Sequence, residues 1–374
     1  VELDGDTKKV INETERLDSD EGIFINRTLK CLFLMQQLPY IPRTVTNISM
    51  FLYEDMDSDF KKIKDRVESA LAKLNEAQYV IKDHSGWKFL SPQEKKVEEE
   101  IQSIVIKPYE KQQSVRNVLV NIFDIPKINY KGLTVFDIKL TLDNETRSQK
   151  GEVELKVFSS INLQLEEKTP EQIVNESLDS PEIIYWLADN VSGLNDKVEK
   201  LERLRRVLDK KNQENRNGNL SDEEKGILLE KEKEKNNLEV DITQDIKRSF
   251  IQGAIIYEGK ERKLDGRIQD IVAIFRDKAE EVIPKLYHQL SLADVKSSEE
   301  DILDIFEKNL GTAAHAYKNL KILDEHNHVN VNAPVAQEVL KTIKSKINFG
   351  QSTTGKDLIE HFSKRPYGWN NVVL

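Results

Sequence analysis

A single cysteine, Cys31, stands in 374 residues. An internal disulfide and a cysteine-built metal knuckle are thereby excluded, and the scarcity of thiols fits a reducing cytoplasm. Long apolar runs are also missing: Cys31-Leu32-Phe33-Leu34-Met35 and Ile183-Ile184-Tyr185-Trp186-Leu187 fall far short of the roughly 20 residues a membrane-spanning helix needs. Cys31 reads as a small buried apolar side chain within the first of these runs. Positive charge is not in excess, since 56 Lys and Arg face 66 Asp and Glu for a net charge of −10. Indiscriminate binding of nucleic acid or anionic membrane is therefore disfavoured, and only local basic faces are left. No Ser, Thr or Cys stands in a nucleophile context, and six histidines supply no ligand set. In His326-Asn327-His328, the one close pair, both rings would share a strand face as two zinc ligands can, but a third ligand is lacking. The chain opens at Val1-Glu2-Leu3 and closes in the apolar Val372-Val373-Leu374, which reads as a piece of a longer protein whose chemistry lies elsewhere.

Apolar residues make up 38% and charged residues 33% of the sequence, a balance that suits a charged, mainly helical α+β chain of two or three domains at roughly 150 residues each. Residues 1–24 are acidic and weakly periodic and read as an arm or upstream tail. Over 25–113 the spacing predicts a helix from Thr28 to Leu38 ended by Pro39 and Pro42, a short one capped by Thr44 or Thr46, and a third from Asp57 or Asp59 through Leu74. Tyr79-Val80-Ile81 and Trp87-Lys88-Phe89-Leu90 flank a glycine bend and read as a β-hairpin. Three short helices and a hairpin follow the winged-helix plan. Ser91-Pro92-Gln93-Glu94 then opens a linker helix that extends to about Gln113.

Residues 114–290 read as an α/β middle domain. Strands are expected at Val118–Ile122, Val135–Leu142 and Val153–Phe158, with Phe136, Ile138, Leu140 and Leu142 alternating against Val135, Asp137, Lys139 and Thr141. Ile183–Leu187 fits either a buried central strand or a helix start after Ser180-Pro181-Glu182. Between Leu194 and Arg248 stand 14 cations and 14 anions. Thin apolar seams there, with a break at Asn215–Asn219, predict an antiparallel coiled-coil hairpin over 194–250 that projects from the body. Ala254–Tyr257 and Lys263-Leu264 form an expected strand pair, and a helix follows from Ile268 to Leu290. The region 291–374 reads as helical and truncated, with helices at Glu299–Leu310, Pro334–Ile347 and Thr354–Phe362, and an extended piece at His326–Val331.

Two constellations bear on binding. On the third helix Lys62, Arg66, Ser69 and Lys73, spaced 4, 3 and 4 apart, lie roughly 120° from the core stripe at about 100° per residue. If that helix enters a major groove they meet phosphates, with Trp87 and Lys88 of the hairpin reaching the backbone nearby. The balance over Ile25–Lys95 is 11 cations against 9 anions, or +2, which favours protein contact over duplex DNA. Gly350-Gln351-Ser352-Thr353-Thr354-Gly355-Lys356-Asp357 matches a phosphate loop through Gly350, Gly355 and Lys356. It then places Asp357 where Mg²⁺ needs Ser or Thr, and no apolar strand precedes it; the competing reading is a turn with Thr354 capping a helix.

The runs Thr28–Leu34, Arg66–Leu74 and Gly151–Val157, the charged hairpin, and above all Lys364-Arg365-Pro366-Tyr367-Gly368-Trp369 resemble the large P-loop ATPase of BREX bacteriophage-exclusion systems, the BrxC/PglY family. The resemblance covers most of the chain from about residue 25. It implies a cytoplasmic, internal, non-catalytic piece downstream of an ATP-binding module, so that ATP and Mg²⁺ belong to the parent and this piece carries no cofactor or metal. Implied partners are other BREX proteins and double-stranded DNA, with no membrane, and with oligomerisation through the parent's ATPase module. An architectural scaffold without nucleic-acid contact, and a nucleotide site at 350–357, are the alternatives.

Overall fold

The computed structural model describes residues 19–38, 40–53, 59–83, 86–125, 127–216, 220–296, 300, 303, 315–324, 326 and 328–374. The chain divides into two compact units, one holding residues 1–107 and 199–239, the other 108–198 and 240–374. Among the described residues no helix is long and apolar enough to cross a membrane.

The first unit opens with α1 (Asp20–Met35), whose first turn is closed by Ser19 accepting from the Gly22 amide at 3.1 Å. The arm expected over 1–24 therefore ends early: residues 20–24 are helical, because a capping serine and two first-turn acids precede the buried Phe24 and Ile25. Helices α2 (Val45–Phe51) and α3 (Phe60–Glu76) carry their expected caps, Thr44 and Asp59. Leu29, Leu32, Ile48, Val67, Leu71 and Leu74 form the shared core. Strands β1 (Val80–Asp83) and β2 (Gly86–Phe89) pair antiparallel. Gly86 has φ +116°, and a Cβ there would lie 2.3 Å from the Arg43 carbonyl oxygen, so the bend requires glycine.

A reciprocal Ser91–Glu94 capping box starts α4 (Pro92–Ser103). The linker helix predicted to Gln113 is instead two helices, since Pro108 starts a new one, α5 (Pro108–Ile122). That element also overturns the strand expected at Val118–Ile122. Val115, Leu119 and Phe123, four residues apart, are all buried, and burial along one helical face outweighs the β preference of Val118, Val120 and Ile122.

The second unit is organised by a mixed sheet of β3 (Lys127–Tyr130), β4 (Thr134–Leu142), β5 (Glu145–Ser148), β6 (Val153–Phe158), β7 (Ile183–Leu187), β8 (Ala254–Tyr257) and β9 (Lys260–Lys263). Its order is 3-4-6-7-8-9, with β3 and β5 each pairing β4. Strands β4, β6 and β7 are parallel, while β8 and β9 return antiparallel. All five residues of Ile183–Leu187 are buried, which settles that run as a central strand. Between β6 and β7 the chain crosses over through α6 (Ser160–Leu165) and α7 (Pro170–Leu178); between β7 and β8 it makes the helices α8 (Leu194–Arg216) and α9 (Asp222–Ile251).

The central strands β4, β6 and β7 are apolar on one face: Ile138, Leu140, Val153, Leu155, Val157, Ile184 and Trp186 are buried. Trp186 meets the Phe123 ring edge-on at 5.3 Å and donates its indole N–H to the Phe250 carbonyl at 3.0 Å. Helix α10 (Ile271–Leu286) ends short of the expected Leu290. Beyond it lie the short α11 (His315–Asn319), then α12 (Pro334–Asn348) and α13 (Gly355–Ser363). The helix expected at Glu299–Leu310 lies outside the described residues apart from 300 and 303. Leu323 and Val329 form a lone bridge in the stretch read as extended.

The Tyr367-Gly368-Trp369 element packs the chain's end onto this unit. Trp369, 2% exposed, stacks on Phe362 at 4.7 Å and donates to the Gln289 carbonyl at 3.0 Å. Tyr367 donates to Glu338 at 2.9 Å, and Tyr287 donates to Glu152 at 3.0 Å. Gly368 has φ +64°, and a Cβ there would meet Tyr287 at 2.7 Å and Phe136 at 3.0 Å. Gly368→Ala is expected to destabilise the fold by about 2–3 kcal/mol through strain and overpacking, read as a lowered urea midpoint.

Candidate functional site

The helix–hairpin surface is built on α3 and the β1–β2 bend. Lys62, Arg66, Ser69 and Lys73 are all exposed on α3, as their spacing requires. Two of them are engaged locally: the Arg66 guanidinium lies 4.1 Å above the Phe24 ring, and Lys73 pairs with Glu21. That pairing holds the Glu21 carboxyl below its usual range. Trp87 is half-buried against the core, its carbonyl accepting from Arg43 Nε at 2.7 Å. Lys88 binds Glu94 and Glu230, each at 2.6 Å. Burial works against its charge, yet the two carboxylates more than offset this and raise its pKa. Lys88 thus faces α4 and α9.

The same unit corrects the projecting hairpin. Leu204, Val207 and Ile227 of its arms pack with Val97 and Ile101 of α4 into one cluster. Around it Lys231 binds Glu98 and Glu234 at 2.8 Å each, Lys200 binds Glu234 at 2.6 Å, and Lys210 pairs with Glu100. A thin seam on each arm is what a third helix needs to complete a small core. Val97, Glu98 and Ile101 were the visible signal, an apolar stripe beside an acid on the linker helix, but partner choice is not encoded in periodicity.

Gly350 lies between α12 and α13, while Gly355 and Lys356 are the first two residues of α13. Gly350, at φ +72°, follows the end of α12. Thr354 caps α13, accepting from the Asp357 amide at 3.3 Å, while the Asp357 carboxylate accepts the Thr354 amide and hydroxyl, each at 2.8 Å. Those bonds hold Asp357 below its usual pKa. His326 and His328 have ring centroids 6.2 Å apart, and His328 Nδ1 lies 3.4 Å from Asp324. Among the described residues no three His, Cys, Asp or Glu come together as a metal site.

The second sheet face holds what periodicity left unread. Where β4 and β6 bury aliphatic side chains on one side, the other carries Lys139, Thr141, Glu154 and Lys156, register partners across the two strands. They line a pocket of about 310 Å³ bounded also by Lys168, Glu176 and Tyr185. Glu154 is buried and accepts from Lys139 Nζ at 3.0 Å and Thr141 Oγ1 at 2.9 Å. Lys156 lies 5.6 Å from the Tyr185 ring centroid, and Lys168 5.1 Å from that of Phe158. The polar alternation of Lys139 and Thr141 was readable along β4; that α7 covers only the β7–β8 side of this face was not.

Beside the pocket, Asp143 ends β4 at φ +45°. Its carboxylate accepts from the Ser159 amide and hydroxyl, both at 2.7 Å, and burial pushes its pKa up to about 6.

These features define an α+β protein whose mixed sheet is interrupted by a long charged helical hairpin. Residues 104–279 match the family described as BREX ATP-binding protein BrxC 4th domain with six-stranded beta sheet, and the six strands of the principal path, β3-β4-β6-β7-β8-β9, lie within that span. The match, over just under half of the chain, supports membership of the BrxC family of BREX proteins. No solved structure matches it.

Two stability measurements follow from these sites. With the folded Asp143 pKa above its unfolded value near 4, its protonated form favours the native state. Its contribution is therefore present below about pH 4 and lost as pH rises through 6. Asp143→Asn, which suits the left-handed backbone, should gain on the order of 2–3 kcal/mol over the parent between pH 4 and 7, measured as the change in urea-midpoint difference. Glu98→Gln is expected to cost about 2–4 kcal/mol by leaving Lys231 short of a buried partner. The apolar pair Glu98→Leu with Lys231→Met should recover most of that loss in a double-mutant cycle.

Proposed function

We propose that this chain is a non-catalytic contact part of a BREX phage-defence ATPase in the cytoplasm. It would hold proteins of the same BREX system and couple their binding to an ATP and Mg²⁺ site in another part of the parent, through which oligomerisation would also occur. The order of three helices and a two-stranded hairpin over 20–89 supports a winged-helix reading of that stretch. The observation that carries protein rather than duplex contact is the internal occupation of its cations. Lys88 is held by Glu94 and Glu230, Lys73 by Glu21, and Arg66 lies on Phe24. A phosphate backbone would have to compete with each of these partners. Exposed apolar side chains on α1 and α2, namely Leu34 at 59%, Met50 at 60% and Phe51 at 55%, support the same reading.

Duplex contact through Lys62 and Ser69 is the second reading, because both are exposed on the α3 stripe. Co-expression with the other proteins of the BREX system separates the two. Met50→Glu with Phe51→Glu should abolish co-purification of a BREX protein while leaving the circular dichroism spectrum unchanged. Duplex retention at about 50 mM salt should be undetectable. Salt-dependent retention that Lys62→Glu and Arg66→Glu abolish, with co-purification intact in the apolar variant, would replace protein contact by DNA contact.

A further inference from the structure

We propose that the pocket on the polar face of β4 and β6 binds the oxyanion group of a small ligand, a phosphate or a carboxylate, through Lys156 and Lys168. The argument starts from what the sheet would otherwise do. On the opposite side of the same two strands, Ile138, Leu140, Val153 and Leu155 are buried. Apolar residues at 139, 154 and 156 would extend the layer that α7 already covers over β7 and β8. The chain instead buries the Glu154 carboxylate in mid-sheet. Burying a carboxylate costs desolvation that packed aliphatics of similar volume avoid. Departures of this kind from the local packing rules concentrate at binding sites.

The hydrogen-bonding inventory of the pocket decides the ligand's charge. Both Glu154 oxygens are occupied, Oε1 by Thr141 and Oε2 by Lys139, so this acid and its lysine form a locally neutral floor. Lys156 and Lys168 differ from Lys139. Each lies near an aromatic ring, and among the described residues neither has a carboxylate within ion-pair distance. Two ammonium groups therefore line one pocket with their N–H donors unanswered by an anion. Glu176 is the one other carboxylate of the lining. It leaves the site one positive charge in excess and gives an amine or hydroxyl of the ligand something to meet. At about 310 Å³ the pocket stands at the small end of those that take low-molecular-weight ligands, roughly 300–1,000 Å³.

The test is thermal unfolding and calorimetric titration of the whole chain with sodium phosphate, pyrophosphate and malonate at constant ionic strength. It compares the parent, Lys156→Gln with Lys168→Gln, and a charge-matched control, Lys233→Gln with Lys247→Gln, both exposed on α9. The expected result is a melting-temperature rise of a few degrees at about ten times the dissociation constant in the parent and the control. The Lys156/Lys168 variant should bind at least about tenfold more weakly. A gain from phosphate and pyrophosphate alone identifies a phosphorylated ligand, and a gain from malonate alone a carboxylate. No saturable binding of any of the three, or equal gains in all three proteins as general salting effects produce, overturns the proposal.

Discussion

Strands β7 and β8 are direct antiparallel neighbours, with Leu187 opposite Ala254, although the whole of α8 and α9 intervenes between them. That adjacency governs much of the rest. Two helices that leave and re-enter a sheet at neighbouring strands must begin and end side by side, so the long charged segment can close only as an antiparallel hairpin. The junction is tight: a Cβ at residue 253 would lie 2.0 Å from the Leu187 carbonyl oxygen, so only glycine fits. Trp186 fastens the same point by donating to the Phe250 carbonyl at the foot of α9. Trp186, Phe123 and Phe250 then bring a connecting helix, a central strand and the returning arm into one aromatic cluster.

Local signals in the sequence carried the elements well where burial and spacing agreed. The β4 alternation, the Ser91-Pro92-Gln93-Glu94 start, the Ala254–Tyr257 strand and the Thr354 cap all appear where the residues placed them, while the return strand expected at Lys263-Leu264 starts earlier, at Lys260. Each depends on side chains reaching backbone only a few positions away. The failures have one physical form. Val118–Ile122 is β-branched by composition but helical because Val115, Leu119 and Phe123 had a face to bury. Residues 20–24 look like an acidic arm until Phe24 finds α3. The hairpin looked free because its apolar seams are thin, and the helix that fills them lies about a hundred residues upstream. In each case the deciding partner is remote in sequence, where periodicity carries no information.

The candidate surfaces divide along the same line. The α3 stripe was legible as four residues on one face, whereas the neighbours of Arg66, Lys73 and Lys88 were not, and those neighbours change the chemistry from free cations to paired ones. The β4–β6 pocket was half legible. Lys139 and Thr141 announced a polar side on β4, but only the parallel register with Glu154 and Lys156 places them in one chamber. The Lys364–Trp369 element was the most distinctive string in the sequence, and its role is mechanical, with Trp369, Gly368 and Tyr367 seating the final residues against α10, β4 and α12.

The family match begins at residue 104, between α4 and α5. A polypeptide trimmed to that homologous span would carry both arms of the hairpin but not the helix that shields Leu204, Val207 and Ile227. Ending it at 290 would likewise strip Phe136 and Tyr287 of the glycine-tryptophan cover supplied from beyond residue 360, and ending it at 279 would remove Tyr287 as well. The boundaries of kinship and the boundaries of solubility do not coincide in this protein. Dissection for crystallography or interaction mapping has to follow the buried seams, retaining α4 at one end and Trp369 at the other.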